Sequence, residues 1–196
     1  PILRILVATN ENDAIDVFFR TGVYAPRPAS ETVATSSPSM DISRAASFER
    51  FLFEVLGRNG ERVAELMTEL ETNGRFELTK EEFNKIRRSG LASGTSDHPN
   101  RLEMIESLWV THHRMIDPHT ADCLYTGTYL HPVGVKTLCW ETVQAVKFPR
   151  MTKQATGETV PLPERFKDIF ERRQKKTPLP ADIAAVREAV AAFAKE

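Results

Sequence analysis

Small clusters of side chains in this sequence have the types and spacing to work on a polar or anionic ligand. Asn10, Asn12 and Asp13 directly follow the aliphatic run 1–9, where a strand ends and a helix begins. An asparagine amide there can reach a ligand, and a helix amino end favours anions such as phosphate. Each of the three serves equally as an ordinary cap. Ser36, Ser37 and Ser39 crowd hydroxyls into a turn around Pro38; they can contact substrate or phosphate, or form the local side-chain turns common to serine. His119 and Thr120 follow Pro118 at a helix start. An imidazole suits proton traffic at physiological pH, so His119 can line a ligand pocket, or the pair can simply fix the helix. Thr142 lies past the apolar run 135–140 and by itself reads as a helix cap. His112 and His113 are adjacent, face different sides of a helix and cannot both ligate one metal. Arg20 and Lys147 are cations with the option of a phosphate contact.

The elements that must position these groups follow from periodicity. Residues 1–9 read as a buried strand of the continuous aliphatic kind typical of parallel sheets. Such a strand needs ladder partners, and none is evident beside it, so the chain reads as cut from a longer one. An amphipathic helix over 14–20 closes at Gly22. A short strand is expected at 31–35 and a hydroxyl-rich turn at 36–41. Apolar spacing predicts helices over 45–57 and 62–71, and Thr79 with Glu82 forms a capping-box pattern opening a third. Residues 90–99 read as a polar loop, and 101–113 as a helix whose inward stripe is Met104, Ile105, Leu108 and Trp109. A helix starts within 119–126, a buried strand is predicted at 135–140, and a turn and helix at 141–148. Beyond Pro161, two amphipathic helices flank Pro178 and Pro180. The expected organisation has residues 1–43 and 117–150 in one α/β portion, 44–116 as a helical insertion and 151–196 as a helical tail.

Composition narrows the classes of function. Of 196 residues, 41% are hydrophobic and 27% charged, with 26 Lys and Arg against 27 Asp and Glu. A net charge of −1 gives no electrostatic reason to expect nucleic acid or an anionic membrane as partner. No apolar stretch is long enough to span a bilayer as a helix. The two cysteines, Cys123 and Cys139, make no disulfide framework and no zinc spacing; Cys139 reads as a small core residue. A metal site is not expected, and a reducing, cytoplasmic setting is.

Several segments, in order and spacing, resemble threonine synthase. They are Ala8-Thr9-Asn10-Glu11-Asn12-Asp13 with Phe18-Phe19-Arg20-Thr21-Gly22, and Thr35-Ser36-Ser37-Pro38-Ser39-Met40-Asp41-Ile42 with Ser47-Phe48-Glu49-Arg50. Asp117-Pro118-His119-Thr120-Ala121, and Glu141-Thr142 followed by Val146-Lys147-Phe148, complete the set. The resemblance covers about the first 150 residues, and its fold is the tryptophan-synthase-β type of pyridoxal-phosphate enzyme. It implies α/β architecture, here with the helical insertion and tail, and pyridoxal 5'-phosphate as cofactor. It also implies conversion of O-phospho-L-homoserine and water into L-threonine and phosphate. Thr142 then becomes the hydroxyl that faces the pyridine nitrogen, with His119 and Thr120 as further cofactor contacts. Asn10, Asn12, Asp13, Ser36, Ser37 and Ser39 become substrate contacts. The family pattern has a histidine or similar polar residue where this chain has Gln144, which cannot carry charge.

The lysine that holds the cofactor, and the family's glycine-rich phosphate loop, belong upstream of the matching region and are not found here. No catalytic residue is therefore expected in this segment, and the missing N-terminal part of the same enzyme is its expected partner. Phe166-Lys167-Asp168 superficially matches the family's lysine motif, but it sits at the wrong end of the chain on a charged helix and reads as a decoy. Two alternatives stand beside the synthase: a related phospholyase of the same fold, and a non-catalytic module that kept the family's shape for an interaction.

Overall fold

The strand β1 (Ile5–Thr9) pairs in parallel with β4 (Leu91–Thr95), in register from Ile5 opposite Leu91 to Thr9 opposite Thr95. A computed structural model describes residues 2–131 and 133–194 of the chain. The parallel character of the first run is as expected, but its partner is a correction. Residues 91–95 lie where a polar loop was predicted, and they are a strand within the block read as purely helical. The reason is packing. A Cβ at Gly94 would meet Leu130 Cδ1 and Thr126 Cγ2 at 3.1 Å each, so glycine lets a helix press on this strand where a larger side chain would hold it off. Aliphatic content was thus traded for close approach, and the strand lost its hydrophobic signature.

Helix α1 (Ala14–Thr21) follows β1 and closes at Gly22, whose φ of 80° suits glycine. Asp13 occupies its cap position, but the carboxylate binds Arg27 at 3.1 Å and caps nothing. A two-residue strand β2 (Val23–Tyr24) then pairs antiparallel with β3 (Phe76–Glu77). The strand expected at 31–35 is absent. Ala29–Glu31 form a 3₁₀ turn, and the residues after it pair with side chains rather than with a ladder. Helices α2 (Phe48–Val55), α3 (Gly60–Asn73) and α4 (Lys80–Arg87) follow. The predicted capping box is present at α4, with Thr79 and Glu82 exchanging both bonds.

These elements enclose an aromatic core. Phe18, Tyr24, Leu52, Leu66, Phe76 and Ile86 are all at most 1% exposed, and the Phe18 and Phe48 rings meet edge to face at 4.9 Å. A second cluster lies under α5 (His98–His112), α6 (Pro118–Leu130) and α7 (Pro149–Thr156), around Ile105, Ile116, Ala121 and Met151. Helix α6 packs against β1 and β4, and α5 against α6 and α7.

The buried strand predicted at 135–140 is not formed. These residues carry no regular structure, and Leu138 and Trp140 are 86% and 77% exposed. Apolar composition alone cannot make a strand where no neighbour offers a ladder. The chain forms two compact units, residues 1–161 and residues 162–196. In the second unit only a 3₁₀ turn (Glu164–Phe166) stands where the first tail helix was expected; helix α8 (Ile183–Phe193) forms beyond the prolines. Among the described residues no helix is long and apolar enough to cross a membrane.

Candidate functional site

The parallel pair β1–β4 sends both its carboxyl ends to one place, and buried polar side chains gather there. Thr9 Oγ1 and Thr95 Oγ1 lie 2.9 Å apart across the last rung. Immediately beyond, Asn10 is fully buried. Its amide nitrogen lies 2.8 Å from Thr35 Oγ1 and 2.8 Å from Asp41 Oδ1, and 3.2 Å from Ser37 Oγ. Its amide oxygen accepts from the Asn12 backbone at 2.9 Å. Asn12 in turn donates to Val33 O at 3.0 Å and accepts from Val33 N at 2.9 Å. Both asparagines thereby fasten the loop 32–41 to the strand end.

Arg101, on α5, is the centre of this region and is 0% exposed. Its guanidinium reaches Asp122 Oδ1 at 3.0 Å, Glu11 Oε1 at 2.7 Å and Ser36 Oγ at 2.8 Å. It joins the end of β1, the loop and α6 in one contact. Ser96 also donates to Asp122 Oδ1. Among the described residues Asp122 Oδ2 and Glu11 Oε2 have no hydrogen-bond partner, and an unpaired buried oxygen costs free energy. Burial accordingly pushes the Asp122 carboxyl above its ordinary range, and the bonds from Ser96 and Arg101 only partly offset this. Burial works against the Arg101 charge, but Glu11 and Asp122 outweigh it and the guanidinium stays ionised.

Ser36 stands at the edge of a cleft of about 560 Å³ lined also by His98, Lys147, Phe148 and Arg150. His98 Nδ1 is 2.8 Å from Ser36 Oγ, and Gln154 Nε2 is 3.1 Å from His98 Nε2. A donating Gln154 amide makes Nε2 the acceptor and leaves the ring hydrogen on Nδ1. Ser36 Oγ then accepts from both His98 and Arg101, and its own hydrogen remains to donate elsewhere.

Helix α6 begins beside the same loop. Asp117 caps it, accepting from His119 N at 2.8 Å, His119 Nδ1 at 2.9 Å and Thr120 Oγ1 at 2.5 Å. Burial works against this carboxylate, yet those bonds prevail and hold it below its ordinary range. His119 Nε2 accepts from the Ser39 backbone at 3.0 Å. The His119 ring therefore bridges the α6 start and the loop, and Thr120 is turned inward to Asp117.

The structure thus brings Asn10, Asn12, Ser36, Ser37, Ser39, His119 and Thr120 to one end of the parallel pair. Asp13 is engaged with Arg27 at the rim. Thr142 is exposed on irregular backbone and is not among the residues lining this cleft. Its nearest fixed neighbours in sequence are Glu141, paired with Arg114 at 2.7 Å, and Cys139. Lys167 is exposed and paired with Glu164. Among the described residues no group of three or more His, Cys, Asp or Glu could hold a metal.

Comparison with known proteins decides the family. The profile described as threonine synthase, C-terminal, matches residues 120–190. A threonine synthase of Corynebacterium glutamicum is 42% identical over 191 residues, covering 96% of this chain and 40% of that protein. One from Methylobacillus glycogenes is 38% identical over 189 residues, with the same coverage. The crystal structure of PLP-bound threonine synthase from Brucella melitensis superposes with a TM-score of 0.88 at 30% identity, over 100% of this chain and 41% of that one. The chain belongs to the threonine synthase family. It spans about 40% of the length of the curated relatives it matches, and it has the α/β fold of the corresponding part of their structures.

Sequence reasoning missed Arg101, Asp122, Glu11 and Asp117 in this family's fold. Arg101 looks like a solvated residue on a charged helix. Its two carboxylate partners are 90 and 21 positions away, so no local spacing announces them. Asp117 is recognisable by its place, since Asp before Pro-His-Thr is an N-cap signature.

Proposed function

We propose that this chain supplies the carboxyl-terminal part of a threonine synthase, acting with pyridoxal 5'-phosphate on O-phospho-L-homoserine and water to give L-threonine and phosphate. The observation that carries this reading is the convergence at the ends of β1 and β4. A hydroxyl-bearing loop, a buried arginine and a histidine-anchored helix start meet there beside a cationic cleft.

The residues present fit a phosphorylated cofactor and substrate. Lys147 and Arg150 line the cleft with positive charge, suited to a phosphate dianion. Ser36 is held by Arg101 and His98 with its hydroxyl hydrogen uncommitted, so it donates to an anionic oxygen in that cleft. Asn10 and Asn12 act by fastening the loop, and Ser37, 0% exposed, locks its inner side. Ser39 presents a hydroxyl from exposed backbone tied to His119. By the family resemblance Thr142 is the hydroxyl for the pyridine nitrogen, which a neutral donor can meet without fixing a proton on the ring; in this chain it lies exposed, outside the cleft that Ser36 lines. When bound, the cofactor supplies the electron sink for charge left on the substrate carbon. His119 serves to orient the loop, since its Nε2 already accepts from the Ser39 backbone N–H.

A chimera tests the proposal: this chain replaces the matching part of the Corynebacterium glutamicum threonine synthase. The expected result is equal release of phosphate and threonine from O-phospho-L-homoserine. A folded, cofactor-loaded chimera without turnover would sink the reading. In an active chimera Ser36→Ala should raise KM about tenfold or more, the scale of one hydrogen bond to a charged group. The 196-residue chain alone should gain no stoichiometric borohydride-stable adduct with pyridoxal phosphate.

A further inference from the structure

Two hydroxyls line the cleft of about 560 Å³, on Thr35 and Ser36, and they differ in what they can still give. Thr35 Oγ1 donates to Asp41 Oδ1 at 2.6 Å, so its one hydrogen is committed. Ser36 Oγ lies 2.8 Å from Arg101 Nε and 2.8 Å from His98 Nδ1. A guanidinium only donates, so the first bond has one direction. The second takes its direction from the imidazole tautomer, and Gln154 sets that: its amide nitrogen, a donor, lies 3.1 Å from His98 Nε2. With Nε2 accepting, the ring hydrogen sits on Nδ1 and Ser36 accepts twice. Gln154, His98 and Ser36 therefore hydrogen-bond in one direction, toward the cleft. Lys147 and Arg150 also line it, and among the described residues no carboxylate does.

On the reading of this cleft as a phosphate seat, we propose that His98 and Gln154 are positioning residues that fix Ser36 as a donor, and so fit the cleft to a dianionic tetrahedral oxyanion. A serine hydroxyl left to itself rotates and either donates or accepts. Here both acceptor positions are filled before a ligand arrives, so the remaining hydrogen is directed without a further cost in ordering. A ligand oxygen that carries no hydrogen is the matching partner, and a ligand hydroxyl is not. Phosphate and sulfate dianions both present such oxygens to the Lys147 and Arg150 charges. Arg101 makes the same kind of bond to Ser36, but it also compensates two carboxylates, so its removal mixes positioning with stability. His98 and Gln154 isolate the positioning.

Isothermal titration of the 196-residue chain with sodium phosphate, at a pH where phosphate is a dianion, tests this in a double-mutant cycle. His98→Ala should weaken binding about fivefold when Ser36 is present and less than about twofold in the Ser36→Ala background. His98→Asn, whose amide nitrogen stands near the place of Nδ1, should restore most of the loss, which a role in packing alone would not. Sulfate should bind within about threefold of phosphate, because Ser36 takes no hydrogen from either. Gln154 is exposed, so Gln154→Ala keeps the fold and should cost about threefold, again only while Ser36 is present. Four results would each overturn the proposal: no phosphate binding by the native chain, equal effects with and without Ser36, His98→Asn as weak as His98→Ala, or phosphate bound more than about tenfold tighter than sulfate. The Gln154 cycle decides the matter if His98→Ala fails to fold. Binding by the chain needs no turnover, so an inactive chimera would count against the synthase reading and leave this result standing.

Discussion

At the scale of single residues, the buried guanidinium of Arg101 carries the most consequence. It serves two carboxylates and a serine hydroxyl from a position without solvent. Arg101→Met should cost about 3–5 kcal/mol, because it leaves Asp122 buried and uncompensated. Urea unfolding followed by circular dichroism measures this, and a loss under 1 kcal/mol, the scale of a surface pair, would contradict the burial argument. Adding Asp122→Leu to that variant should recover part of the loss, since an apolar pair can replace a buried ionic one. Asp117 makes a separate prediction in pH. Its folded carboxyl titrates below its ordinary range, so it contributes stability above that range, which drains away as pH falls through the folded value. Asp117→Asn should therefore flatten the acid limb of the stability curve. Asp122 is shifted the opposite way, and its contribution declines as pH rises through and above the ordinary carboxylate range. An acid limb identical in wild type and Asp117→Asn would refute the assignment.

At the scale of elements, Gly94 sets how closely α6 approaches the parallel pair. Gly94→Val should cost about 1–3 kcal/mol by overpacking against Leu130 and Thr126, read as a lower urea midpoint with an unchanged m-value. The same glycine explains what the sequence could not disclose. Helices α1 to α6 were visible because stripes, caps and the Thr79–Glu82 box are local signals, recorded within a few residues. Strand β4 was invisible because Leu91-Ala92-Ser93-Gly94-Thr95 obeys a helix packed upon it rather than β-propensity. Residues 135–140 misled for the converse reason: they have strand composition and no ladder. The candidate site divides along the same line. Asn10, Ser36 and His119 were legible as chemistry at element ends, whereas the arginine that joins them depends on contacts distant in sequence. For Thr142 the sequence named a residue whose setting in this chain is solvent.

At the scale of the whole molecule, apolar surface is left bare. Ile2 and Leu3 are 83% and 67% exposed, and Val133, Leu138 and Trp140 more than three-quarters so. Such surface drives association, so the elution volume of the chain in size-exclusion chromatography should shift with concentration. Leu138→Lys with Trp140→Lys should weaken that shift; identical elution across a hundredfold dilution would contradict it. Among the described residues β1 is paired along one edge, by β4, and an open edge accepts whichever strand reaches it first. A partner tethered to the chain meets that edge at an effective concentration around the millimolar range, whereas a second copy must arrive by diffusion. The half-clad parallel pair therefore sets up a race, in which the order of encounters, rather than the depth of the final energy well, separates pairing with a tethered strand from aggregation.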